Sequence, residues 1–170
     1  MLPNSHRIPL ETAHKFLATF GITKPTKAYE RWVKQDGFDF DDFPTVLYES
    51  PFRIGVDWRG ALENELELIA EGLAKLDVVL DFDIQPGSCA GTVSCAGHTG
   101  RVKYNPSDGD DFTTVITTLQ SIVPTNIEFR ASPDNGGNDG WEFAVLPRDE
   151  CADLEQLDPE LPNNLYVPLE

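Results

Sequence analysis

"LENELELIAEGLAKLDVVLDFDI", residues 62–84, decides the fold class, because a helical period gives way within it to a strand period. Leu62, Leu66, Ile69, Leu73 and Leu76 recur at alternating steps of four and three. That spacing lays one apolar stripe along a helix predicted over about 59–76. From Asp77 the period drops to two. Val78, Leu80, Phe82 and Ile84 face one way, and Asp77, Val79, Asp81 and Asp83 face the other. A strand with one apolar row and one mostly acidic row belongs to a sheet whose second face is at least partly open to water.

The same reading extends in both directions. A strand resumes at 99–105, with Val102 and Tyr104 on one face and Arg101 and Lys103 on the other, where they would balance Asp81 and Asp83 across the sheet. Residues 105–124 predict a second long helix. Asp108, Asp110 and Asp111 fall at its N-terminus, and Phe112, Val115, Ile116, Leu119, Ile122 and Val123 form its apolar stripe. Strands follow at 126–132 and 140–147 around a Gly/Asn/Asp loop, then a short helix over 148–157 and an extended surface tail over 158–170.

Upstream, 45–50 and 52–58 read as strands. Leu10, Ala13, Phe16, Leu17 and Phe20 mark a helix that Gly21 stops. Ala28, Tyr29, Trp32 and Val33 mark a second helix, ending near Gly37. In 36–44, Phe38, Phe40 and Phe43 would point inward while Asp39, Asp41 and Asp42 stay solvated rather than holding a cation. The fold class is α+β: a mostly antiparallel or mixed sheet carrying two long amphipathic helices, with the N-terminal helices attached. The chain reads as one domain over 1–170, with a helical segment at 1–37, an α+β core at 38–157 and the tail at 158–170.

Charge sets the class of partner. Twenty-nine acids face 13 bases, for a net charge of −16. Residues 1–35 hold six bases and two acids, so the rest of the chain carries −20. Such a body repels nucleic acid and anionic membrane and attracts a cationic partner. No apolar run is long enough to span a membrane, and no apolar signal segment precedes a small-residue cleavage site. Three cysteines are too few for a disulfide framework. The expected location is the cytoplasm.

"GSCAGTVSCAGHTG", residues 87–100, brings Cys89, Cys95 and His98 together. The Cys-x₅-Cys-x₂-His spacing is not that of a zinc site, and only Cys151 offers a distant fourth ligand. The Cys-x-x-Cys of a redox pair is absent, as is the Gly-x-x-x-x-Gly-Lys order of a phosphate loop. Small residues at 87–91 and 94–97 suit two tight turns around a short strand. The loop before Trp141 fails as a calcium loop: counted from Asn135, the position that needs a bidentate Glu holds Leu146. No nucleophile elbow or zinc-protease motif occurs. We therefore expect no metal, no cofactor and no catalysis, the alternative being a small enzyme that uses Cys95 and His98.

What remains is acid in rows: Glu63, Glu67 and Glu71 on the long helix; Asp108, Asp110 and Asp111; and Asp149, Glu150, Asp153 and Glu155 near the C-terminus. In this presentation the chain resembles bacterial toxin-immunity proteins, the cytosolic antidotes of contact-dependent and type VI secretion systems. The resemblance implies one-to-one occlusion of a cognate, cationic toxin domain, with acidic side chains standing in for phosphates. The candidate contacts are Asp134, Asn138 and Asp139 in the hairpin loop, Asp149, Glu150 and Asp153, and Glu63, Glu67 and Glu71. A general acidic protein-interaction module is the other binding class open to such a chain.

Overall fold

The computed structural model describes residues 10–23, 27, 30, 48–57, 59–132, 140–157, 159 and 167–169. In chain order it contains α1 (Leu10–Thr19), β1 (Arg53–Asp57), α2 (Leu62–Ala74), β2 (Leu80–Ile84), β3 (Ala90–Cys95), β4 (His98–Lys103), a 3₁₀ turn (Pro106–Asp108), α3 (Thr113–Ile122), β5 (Ile127–Ala131), β6 (Gly140–Pro147), α4 (Arg148–Leu157) and β7 (Val167–Pro168). The fold is α+β, and every strand pair among the described residues is antiparallel. Instead of one sheet there are two, a four-stranded sheet in the order β1-β6-β5-β7 and a three-stranded one in the order β2-β3-β4. Of the second N-terminal helix only Lys27 and Glu30 are described, and both are helical; its apolar residues, the Phe/Asp run at 36–44 and the start of the 45–50 strand lie outside the described residues. The described end of that strand, Tyr48 and Glu49, forms a turn instead.

The two long helices join the sheets. α2 packs on β1 of one sheet and β2 of the other, while α3 packs on β3 and β4 and also on β5. Leu62, Leu66, Ile69 and Leu73 are buried, as their spacing requires. They meet Val115, Ile116, Leu119 and Ile122 of α3 in one continuous core. Tyr104, Phe112, Trp141 and Phe143 close this core with aromatic edges, the Tyr104 and Phe112 ring centroids standing 4.9 Å apart.

Both helices are shorter than their apolar stripes. α2 ends in a left-handed residue: Asp77 has φ 58°. Its amide donates to the Ala74 carbonyl, and the next amide, of Val78, reaches back to Leu73. This is the Schellman arrangement, normally built on glycine. Gly21 ends α1 in the same way, with Ile22 N–H donating to Leu17 and Gly21 N–H to Ala18. Asp77 is thus spent on the helix stop, so β2 begins at Leu80 rather than at Asp77. In front of α3, residues 105–112 form the 3₁₀ turn and a capping loop. The Asp111 carboxylate accepts the Thr113 N–H at 2.8 Å, and that of Asp110 accepts the Asn105 N–H at 2.9 Å.

The open face predicted for β2 is present, with Val79, Asp81 and Asp83 exposed. The charge pairing across it is not. β3 lies between β2 and β4, so Thr92 separates Asp83 from Arg101 and Ser94 occupies the row of Asp81. Two strand spacings, about 10 Å, part the acids from the bases.

The four-stranded sheet is covered on both faces. Phe143 and Val145 of β6 enter the main core, while Ala144 and Leu146, on the alternate face, are also buried. α1 and α4 pack against each other, and α4 lies on β6. They contribute Ala13, Phe16, Leu17, Cys151 and Leu154 to a second apolar layer. Arg130 is buried under this layer, paired with Glu155 of α4 and, at 3.4 Å, with Glu128. Of the tail, Val167 and Pro168 pair with Ala131 and Arg130 as an added edge strand, and Leu169 packs against the core.

Leu66→Ala should cost about 2–5 kcal/mol in urea unfolding, while Leu68→Ala on the outer face should change stability by under about 0.5 kcal/mol. Asp77→Gly should stabilise by up to about 1 kcal/mol, because glycine adopts the left-handed backbone without a Cβ penalty. Equal losses for the two leucine variants, or destabilisation by Asp77→Gly, would contradict these assignments.

Candidate functional site

The Cys/His stretch is built as turns. Ser88 N–H donates to the Gln85 carbonyl at 2.8 Å to close the first turn. Ala96 and Gly97, with φ of 49° and 81°, make the second, which matches the twist of β3 and β4. Cys95 and His98 face each other across the ladder, but the thiol is buried and the imidazole exposed. Burial raises the Cys95 pKa, and the charge of Asp81 adds to the effect. A nucleophile needs the opposite shift. Cys151 sits on α4, where burial pushes its thiol to about 12 against the pull of Arg130. Among the described residues, no group of three or more His, Cys, Asp or Glu side chains is placed to hold a metal ion.

The acidic rows have three fates. Glu67 and Glu71 are exposed and Glu63 half-exposed on the outer side of α2. Asp149, Glu150 and Asp153 are exposed on α4, but Glu155 is half-buried in its bond to Arg130. Asp134, Asn138 and Asp139 lie outside the described residues.

A fourth group emerges from the fold alone. Glu65 is 4% exposed, and its Oε2 is buried with no hydrogen-bond partner. The carboxyl tucks beneath the turn that links β1 to α2, where a Cβ on Gly60 would overlap Oε1. Two bonds close that turn, Gly60 N–H to the Asp57 carbonyl and Arg59 N–H to the Asp57 carboxylate, each 2.9 Å. Burial pushes the Glu65 pKa up to about 7; a backbone hydrogen bond from Asp57 works against this, and the Asp57 charge adds to it. Beside it, burial raises the Tyr104 phenol to about 12, with the charges of Glu65, Asp57, Asp110 and Asp111 contributing. Four carboxyl groups from β1, α2 and the approach to α3 therefore act on one buried phenol.

Sequence reasoning missed Glu65 because it sits inside the run Glu63-Asn64-Glu65-Leu66-Glu67, which reads as a solvated face. The available signal was positional. Glu65 lies three residues after Leu62, four before Ile69 and seven before Gly72, all of them buried.

The comparisons add no relative: no protein-family model matches the chain, and no curated protein or solved structure matches it.

An acid whose pKa is raised in the folded state favours folding at low pH. Below 4.5 both states hold the proton; between 4.5 and about 7 only the unfolded chain releases it, so stability falls as pH rises and then levels off. Urea titrations at acid and alkaline pH should show that fall in the wild type and a smaller one in Glu65→Gln. The gap should widen with pH to the order of a few kcal/mol. Parallel curves would mean that Glu65 titrates as an ordinary surface acid.

Proposed function

We propose that this chain is a cytoplasmic immunity protein: it binds a cognate, cationic secreted toxin domain one-to-one and occludes it, with no catalysis of its own. One observation carries the reading. Asp57, Glu63, Glu65, Glu67, Glu71, Asp110, Asp111, Asp149, Glu150 and Asp153 have no ion-pair partner among the described residues. The bases that do pair are taken by Glu11, Glu128, Glu142 and Glu155. Self-repulsion on this scale destabilises the compact state and speeds encounter with a positive surface. Among the described residues, no helix is long and apolar enough to cross a membrane.

The test is to read the genes beside the one for this chain and to assay binding against any basic secreted domain they encode. Association should slow steeply as salt rises while dissociation changes little. Reversing Glu67 and Glu71 to Lys, or Asp149 and Asp153 to Lys, should slow association about tenfold at whichever face makes contact. Tight binding that ignores salt and both reversals would remove acidic recognition. Equal binding to unrelated basic proteins would make the chain a general acidic module.

A further inference from the structure

We propose that the end of the fold where β1, α2 and the approach to α3 meet is a receptor for one arginine side chain of the partner, with the Glu65 carboxylate as its buried counter-charge. The inference rests on the reading of the chain as a binder of a cationic protein and locates where the contact goes deepest. An acidic cluster alone would not define a site. Here a buried acceptor, Glu65 Oε2, has no donor, and leaving such a group unmade is costly. The charge of Asp57 compounds the cost at Glu65. Asp57 comes from β1, Tyr104 from the residue after β4, and Asp110 and Asp111 from the loop before α3; all three acids bear on the same phenol as Glu65.

A guanidinium supplies what the site lacks. It brings several N–H donors and a positive charge, and it gives up water more readily than an ammonium does. Its arrival would satisfy Oε2 and set a positive charge against those of Glu65 and Asp57. The way in lies under the Asp57–Gly60 turn, which covers the carboxyl and is closed by the two Asp57 bonds. Arg59 is exposed in that turn, and a partner arginine would reach Glu65 by displacing the turn.

The probe is a tri-arginine peptide, titrated into the full chain and followed by amide NMR and calorimetry. At about pH 8, where Glu65 is ionised, the wild type should bind it about tenfold more tightly than Glu65→Gln, and the amides of 57–61 should shift. At about pH 5.5, where Glu65 holds its proton, the two should bind alike. Glu67→Gln, which removes an exposed charge, should leave the pH dependence intact. Thermal unfolding of Glu65→Gln at or above the wild-type midpoint would show that a lost fold does not cause the difference. If Glu65→Gln binds like the wild type at both pH values while Glu67→Gln weakens binding, the receptor is wrong and the acidic-surface reading stands. If the wild type does not bind the peptide at either pH, the receptor is wrong, and the acidic-surface reading is decided by the salt dependence and charge reversals of the assay above. A tri-lysine peptide that binds as well as tri-arginine would overturn the choice of guanidinium.

Discussion

The double burial of β6 is the constraint on which the rest of the structure depends. Its eight residues pair with β1 on one side and β5 on the other, and both of its faces are covered. Antiparallel strands often leave one face to water. Here Phe143 and Val145 belong to the core beneath α2 and α3, while Ala144 and Leu146 belong to the layer beneath α1 and α4. A charge placed at any of these four positions would lack a wet side to turn to. The ends of the strand are the exceptions. Glu142 is half-exposed and meets Arg53 at 2.7 Å, and Trp141 closes the aromatic edge of the core.

Arg130 and Glu65, the buried Arg and Glu among the described residues, illustrate opposite solutions to one problem. Arg130 is carried inside with Glu128 and Glu155 beside it. Burial works against its charge, and the Glu155 bond holds its pKa up all the same. That pairing fixes α4 to the sheet. Glu65 is carried inside beside other acids, and burial pushes its pKa up to about 7, towards the neutral form. A buried group of the first kind serves the architecture. One of the second kind holds free energy that a ligand of opposite charge can release, which is why the β1–α2 turn attracts a functional reading.

Legibility in the sequence followed locality. The α2 stripe, the full extent of β6 and α4, and the turns around Cys89 and Cys95 rest on contacts within a few residues, and residue order carries them. The division into two sheets was not legible. Periodicity says which face a strand buries but not which strand it joins, and β1 finds its partner in β6 far along the chain. The start of β2 was misread because Asp77 fits an alternating pattern while its backbone serves the end of a helix. Of the candidate surface, the exposure of Glu67, Glu71, Asp149, Glu150 and Asp153 was legible from helical spacing. The burial of Glu65 was not, because one acid among several gives no sign of which one turns inward.

The pairing of β7 with β5 bears on how the molecule is made. Until Val167 and Pro168 lie along Ala131 and Arg130, the outer edge of β5 presents unpaired backbone groups beside an apolar face. During synthesis, β5 emerges well before the segment that covers it, and β6 can dock on its other side in the interval. Any stage in which β7 is not yet paired leaves the main sheet open along one margin. Net negative charge, which keeps identical chains apart, guards that stage as well as the finished protein. The cover is a strand containing proline, which cannot donate a ladder bond at its own position and so tends to close the margin rather than extend it to another chain.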